Sequence, residues 1–94
     1  MSEKQPEVVN NEQESRFELE QQGQVAVLMY RKKPGSLTLT HTGVPPELEG
    51  QGIASKLSRT ALEYARSSHL KVIPQCEYVI AYLRKHPEYN DLVA

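Results

Sequence analysis

Val44-Pro45-Pro46-Glu47-Leu48-Glu49-Gly50-Gln51-Gly52-Ile53-Ala54-Ser55 is the stretch that decides how this chain folds. A strand-like run ends at the two prolines, and a Gly-x-Gly turn then opens directly into an amphipathic helix. The first N–H groups of a helix have no intrahelical acceptor. They sit at the positive end of the helix dipole, so a turn of this kind fits phosphate or pyrophosphate. The expected donors are the amides of Glu49, Gly50, Gln51, Gly52, Ile53 and Ala54, with Ser55 closing the segment. Gly50 is expected where φ must be positive or where a side chain would collide with a ligand, and Gly52 where ligand and backbone approach closely. Pro45 and Pro46 stiffen the entry and offer no competing N–H. Taken alone, a Gly-x-Gly turn at a helix start is more often a plain turn.

Upstream, Arg16-Phe17-Glu18-Leu19-Glu20 alternates polar and apolar, the pattern of a half-buried strand. Gln21 to Gln24 reads as a hairpin turn. Val25 to Tyr30 is a continuous apolar run, which fits a central strand covered on both faces or a short buried helix. After the turn Lys33-Pro34-Gly35, Ser36 to Thr42 alternates strictly and is the clearest strand in the chain. Val8 and Val9, followed by Asn10-Asn11, fit an extra short strand and turn. Downstream the period changes. Ala54, Leu57, Ala61 and Ala65, with Ile53 and Leu62 beside them, mark one face of a helix that ends near Ser67-Ser68-His69. Leu70 to Ile73 reads as a strand stopped by Pro74, and its helical crossover predicts parallel pairing with Ser36–Thr42. Cys76 to about His86 reads as a second helix ended by Pro87. The fold class is therefore α+β: an antiparallel meander followed by an α-β-α unit, in the order β-β-β-α-β-α.

With 94 residues the chain makes one small domain, expected over residues 7–94 behind a flexible tail over 1–6. Eleven basic and twelve acidic residues give a net charge of −1. Without a basic run, nucleic acid is not an expected partner. No apolar run is long enough for a membrane span, and the first residues are too polar for a signal peptide. The single cysteine, Cys76, forms no internal disulfide and suits a reducing, cytoplasmic location. The three histidines and one cysteine have no zinc spacing, so no metal is expected.

His41 to Ala65 resembles the acetyl-coenzyme A motif of GNAT-type N-acetyltransferases, Q/R-x-x-G-x-G/A between a strand and a helix. Gly50, Gly52 and Ala54 match its turn positions. Glu47 stands where Gln or Arg is usual, and Glu49 replaces a frequent Arg, which removes a positive charge but leaves the backbone donors. Arg16-Phe17-Glu18, Tyr30-Arg31, His41 to Pro45, Pro74 to Val79 and Tyr82 to Tyr89 extend the resemblance over nearly the whole chain from about Val8. Together they look like the small one-domain branch of GNAT-like proteins, the bacterial YjdJ-type and eukaryotic NATD-type proteins. That branch keeps the central motif without the first helices and last strands of full-length acetyltransferases.

The resemblance implies a minimal GNAT-like fold with acetyl-CoA or coenzyme A as ligand. Its diphosphate would lie over Gly50 to Ala54, and its pantetheine arm near Val44, in a gap between the Ser36–Thr42 and Leu70–Ile73 strands. An unknown amine, on a small molecule or a protein, would accept the acetyl group. Amine acetylation needs a donor for the thioester carbonyl, for which the Val44 N–H is the candidate, and an acid for the leaving thiolate. Cys76 falls near a family Asn position, and Leu83 at the usual Tyr position with Tyr82 beside it. Cys76 reads either as a small core residue or as a nucleophile or coenzyme A contact activated by a helix N-terminus. His41 reads either as a core histidine, in phase with Leu37 and Leu39, or as a base facing the acetyl group. Three functions remain open: an N-acetyltransferase, a non-catalytic CoA-binding or regulatory module, and a scaffold whose glycine turn is only a turn.

Overall fold

The computed structural model describes residues 7–94. The tail expected over 1–6 lies outside the described residues. Five strands form one sheet in the order β1-β2-β3-β4-β5: β1 Val9–Asn11, β2 Arg16–Gln21, β3 Gln24–Lys33, β4 Ser36–Gly43 and β5 Lys71–Pro74. The first four pair antiparallel, and β5 pairs parallel to β4. Helix α1, Ile53–Ser67, is the connection that lets β5 run parallel, and α2, Glu77–Lys85, follows β5. Two 3-10 helices not expected from the sequence, Pro46–Leu48 and Pro87–Leu92, each begin at a proline. The chain end returns to β5, where Val93 bridges Val72 and the Ala94 N–H donates to the Val72 carbonyl at 2.9 Å.

The core lies on one face of the sheet. Phe17 and Leu19 of β2, Ala26, Leu28 and Tyr30 of β3, and Leu37 and Leu39 of β4 point into it. They meet Leu57, Ala61, Leu62 and Ala65 of α1 and Val79 of α2. The unbroken apolar run of β3 is central in the sheet but is not covered on both faces. Val25 and Met29 are 45% and 38% exposed, because the helices pack on the opposite side.

Helix α1 ends in a Schellman motif. The Leu70 N–H donates to the Ala65 carbonyl at 2.8 Å and the His69 N–H to the Arg66 carbonyl at 3.3 Å, with His69 left-handed at φ 58°.

One irregularity shapes the site. Met29 pairs with His41 and Tyr30 with Leu39, so Thr40 is an extra residue in β4. Its hydroxyl donates to the Met29 carbonyl at 3.2 Å. An extra residue reverses the side-chain alternation beyond it. His41 therefore leaves the Leu37–Leu39 face and is exposed, opposite Met29, while Thr42 turns to the core side, opposite Leu28. The core-histidine reading of His41 is overturned by this bulge.

Candidate functional site

Three element ends converge: the end of β4, the start of α1 and the start of α2. Pairing of β4 with β5 stops at Leu39 and Pro74. The Leu39 carbonyl there accepts from both the Gln75 and Cys76 N–H groups, at 2.9 and 3.1 Å. Beyond that pair of hydrogen bonds β4 continues to Gly43 while β5 gives way to α2, and the strands part.

The glycine turn follows. Leu48, fully buried, pins the 3-10 helix to the core. Gly50 and Gly52 are both left-handed, at φ 84° and 74°, and a Cβ on either would meet nothing within 4 Å. Their requirement is thus conformational, and the space beside them is open. Gly52 caps α1, whose first internal bond runs from the Lys56 N–H to the Gly52 carbonyl at 3.1 Å. Among the described residues, the amides of Gly50, Gln51, Gly52, Ile53, Ala54 and Ser55 find no acceptor, nor does that of Val44. The Glu49 N–H, expected among the donors, instead closes the 3-10 helix by donating to the Pro46 carbonyl at 3.2 Å.

Along this row runs a cavity of about 670 Å³, walled by His41, Thr42, Gly43 and Val44 of the strand end, by Leu48 to Gly50, Gly52, Ile53 and Ala54 of the turn, and by Tyr78. Gln51, Ser55 and Cys76 lie off this wall. The Gln51 side chain bonds Gln21 and reaches the Glu47 carbonyl. Ser55 shares a 2.9 Å hydrogen bond with the Tyr78 hydroxyl, joining the first turns of the two helices. His41 Nε2 lies 3.6 Å from where a Cβ on Gly43 would stand, an ordinary contact distance, so the imidazole sits directly beside this glycine.

Cys76 is not inside α2 but is its N-cap, with an extended backbone and a buried side chain. Its Sγ lies 3.1 Å from Thr42 Oγ1. Burial pushes the thiol pKa up. The Thr42 hydroxyl, the Val79 and Tyr78 amides and the Thr42 backbone together outweigh that, and the result lies below the ordinary thiol value. No side-chain bond caps α2, so the two helix amides act on the sulfur as near dipoles. Leu83, where the family tyrosine is usual, is buried apolar core.

Thr42 is the residue that sequence reasoning missed, whereas Tyr78, in a cluster with Tyr82 and Tyr89, reads from sequence as either stacking on a ligand or, by default, packing. The phase of Thr42 depends on the bulge, which alternation alone does not signal. Among the described residues no three His, Cys, Asp or Glu side chains converge to hold a metal, and no helix is long and apolar enough to cross a membrane.

A family model described as GCN5-related N-acetyl-transferase matches residues 16–92, and the chain belongs to this family. It is similar to Protein NATD1 of Xenopus tropicalis, 35% identical over 65 residues, which are 66% of this chain and 58% of that protein. Protein NATD1 of Homo sapiens is 35% identical over 63 residues, 66% of this chain and 56% of that protein. The matched region spans less than two thirds of these relatives. The fold is shared with a GCN5-like protein from Staphylococcus aureus solved by NMR, at TM-score 0.72 and 31% identity, over 94% of this chain and 87% of that one.

Proposed function

We propose that this chain binds acetyl-CoA along the β4 end and the glycine turn, and transfers the acetyl group to an amine. The observation that carries the reading is the row of unpartnered amides from Gly50 to Ser55, which opens onto a cavity reaching His41, Thr42 and Val44. Those amides suit a diphosphate by geometry and dipole. The Val44 N–H suits a carbonyl oxygen, and the half-buried Val44 side chain fixes its direction by packing on the core. Acetyl-CoA, when bound, supplies an activated acetyl thioester. His41, exposed on the cavity wall, is placed to take a proton from the acceptor amine at a ring nitrogen. Cys76, held by Thr42 where the strands part, is assigned as a nucleophile or a thiol contact. The domain spans residues 7–94, and its one free thiol fits a cytoplasmic location.

A second reading, a CoA-binding module without turnover, is favoured by Cys76 standing off the cavity wall and Leu83 standing in the core.

An amide NMR titration with acetyl-CoA tests the binding common to both. Shifts confined to Val44, Gly50 to Ser55 and the start of α2 support it, and Gly52→Glu, which sets a carboxylate beside the amides, is expected to abolish them. Shifts absent at millimolar ligand refute both readings. Cys76→Ala then divides them: turnover lost with binding kept supports a catalytic thiol, and turnover unchanged removes that role.

A further inference from the structure

The amide row is useful to a ligand only if the turn that carries it keeps its shape. Its internal ties are few: the Leu48 N–H to the Pro45 carbonyl at 2.9 Å and the Glu49 N–H to the Pro46 carbonyl at 3.2 Å, both before the first glycine. Leu48 anchors the turn from beneath. From Gly50 to Ile53 the backbone crosses two left-handed glycines, the residue type that resists bending least.

The side chain of Gln51, between those glycines, meets two partners. Its Oε1 accepts a hydrogen bond from Gln21 Nε2, and its Nε2 reaches back to the Glu47 carbonyl at 3.5 Å. One carboxamide thus ties the middle of the glycine turn to the preceding 3-10 helix and to a strand thirty residues earlier. The support behind Gln21 is a tight hairpin. Gln21 pairs with Gln24 across a two-residue loop, and Gln22 and Gly23 are both left-handed, at φ 55° and 74°. Two successive positive φ values define the hairpin loop whose twist matches that of the flanking strands.

We infer that Gln21 is a positioning residue for the amide row: through Gln51 the β2–β3 hairpin holds the glycine turn in the shape that presents its N–H groups. The binding part of this inference rests on the acetyl-CoA reading above. Neither side chain needs to touch the ligand, since both lie off the cavity wall. The device also explains why a glutamine fits between the glycines: its carboxamide accepts through Oε1 on one side and donates through Nε2 on the other, which a carboxylate, an acceptor only, does not do.

The test uses the full chain with Gln21→Ala, Gln51→Ala and the double variant. The first readout is the ¹⁵N order parameter of the Gly50 and Gly52 amides in free protein; both are expected to fall in each variant while those of β3 and α1 stay as in wild type. The second is the acetyl-CoA Kd. Each single variant is expected to raise it about three- to tenfold, the range of one net hydrogen bond, and the double variant no more than either single. Order parameters unchanged in Gln21→Ala overturn the inference, and so do single effects that multiply in the double variant. If wild type binds no acetyl-CoA, the acetyl-CoA reading fails, and the order parameters still decide whether Gln21 holds the turn.

Discussion

Gly52→Ala and Gly43→Ala are the same chemical change nine residues apart, and the structure assigns them opposite signs. At Gly52 φ is 74°, so an L-alanine there takes left-handed strain of about 1–2 kcal/mol. No packing term offsets this, because the new Cβ meets nothing within 4 Å. The stiffer unfolded chain returns about 0.4–1 kcal/mol. The net loss is therefore about 0.5–1 kcal/mol, and Tm falls by roughly 3–6 °C for a domain of this size. At Gly43 the backbone is not left-handed. A Cβ there would lie 3.6 Å from His41 Nε2 and 3.7 Å from Val27 Cγ2, ordinary contacts. A strand glycine costs about 0.5–1 kcal/mol relative to alanine, so Gly43→Ala raises Tm by a similar margin. Circular-dichroism melts of wild type and the two variants are the assay. Equal destabilisation of both, or no loss in Gly52→Ala, would refute the reasoning that Gly52 is required by its backbone conformation and Gly43 is not.

Leu48→Ala empties a fully buried anchor and is expected to cost about 2–5 kcal/mol in chemical unfolding; a loss under 1 kcal/mol would mean the 3-10 helix is not seated in the core. Thr42→Val removes the hydroxyl beside Cys76. The thiol pKa then rises, and the pH midpoint of alkylation by iodoacetamide moves up; an unmoved midpoint shows that Thr42 does not act on the sulfur. Tyr89 is pushed up to about 12, first by burial and then by its hydrogen bond to Glu63. A phenol whose folded pKa is raised contributes stability that is fully present below its ordinary value near 10 and is lost as pH rises toward 12. Wild type should therefore lose Tm over that window, and Tyr89→Phe should lose less of it; identical slopes would contradict the burial argument.

Much of the fold is readable from period alone. The alternation of Arg16–Glu20 and the shift to three- and four-residue spacing after Gly52 place β2 and α1 to within a residue or two, since burial on one side writes those patterns. The apolar run of β3 misleads for a related reason. Val25 and Met29 are exposed, and hydrophobicity in a strand records β propensity as well as cover. The site is less readable. Thr40 is chemically ordinary, yet as the extra residue of β4 it exchanges the faces of His41 and Thr42. Glu49 illustrates the same limit: its place before Gly50 suggests a free amide, and only the 3-10 turn shows it already bonded to Pro46.

That limit bears on the two glutamates that depart from the family motif. A site built on arginine side chains would be weakened by Glu47 and Glu49. In the proposed acetyl-CoA site the groups that would face the ligand are main-chain amides whose directions are set by Gly50, Gly52 and the α1 axis, and a side-chain change does not remove a main-chain donor. Glu47 and Glu49 are exposed and can turn toward water, so solvent weakens their repulsion of an anion, and Glu49, on the cavity wall, is the nearer of the two to the amide row. On this reading, what the turn cannot tolerate is a change of shape. Its vulnerable positions are the left-handed glycines, the buried Leu48 and the Gln21–Gln51 tie, and none of these carries a charge. The mechanical support of the amides, more than the charge beside them, is what the sequence of this turn has to specify.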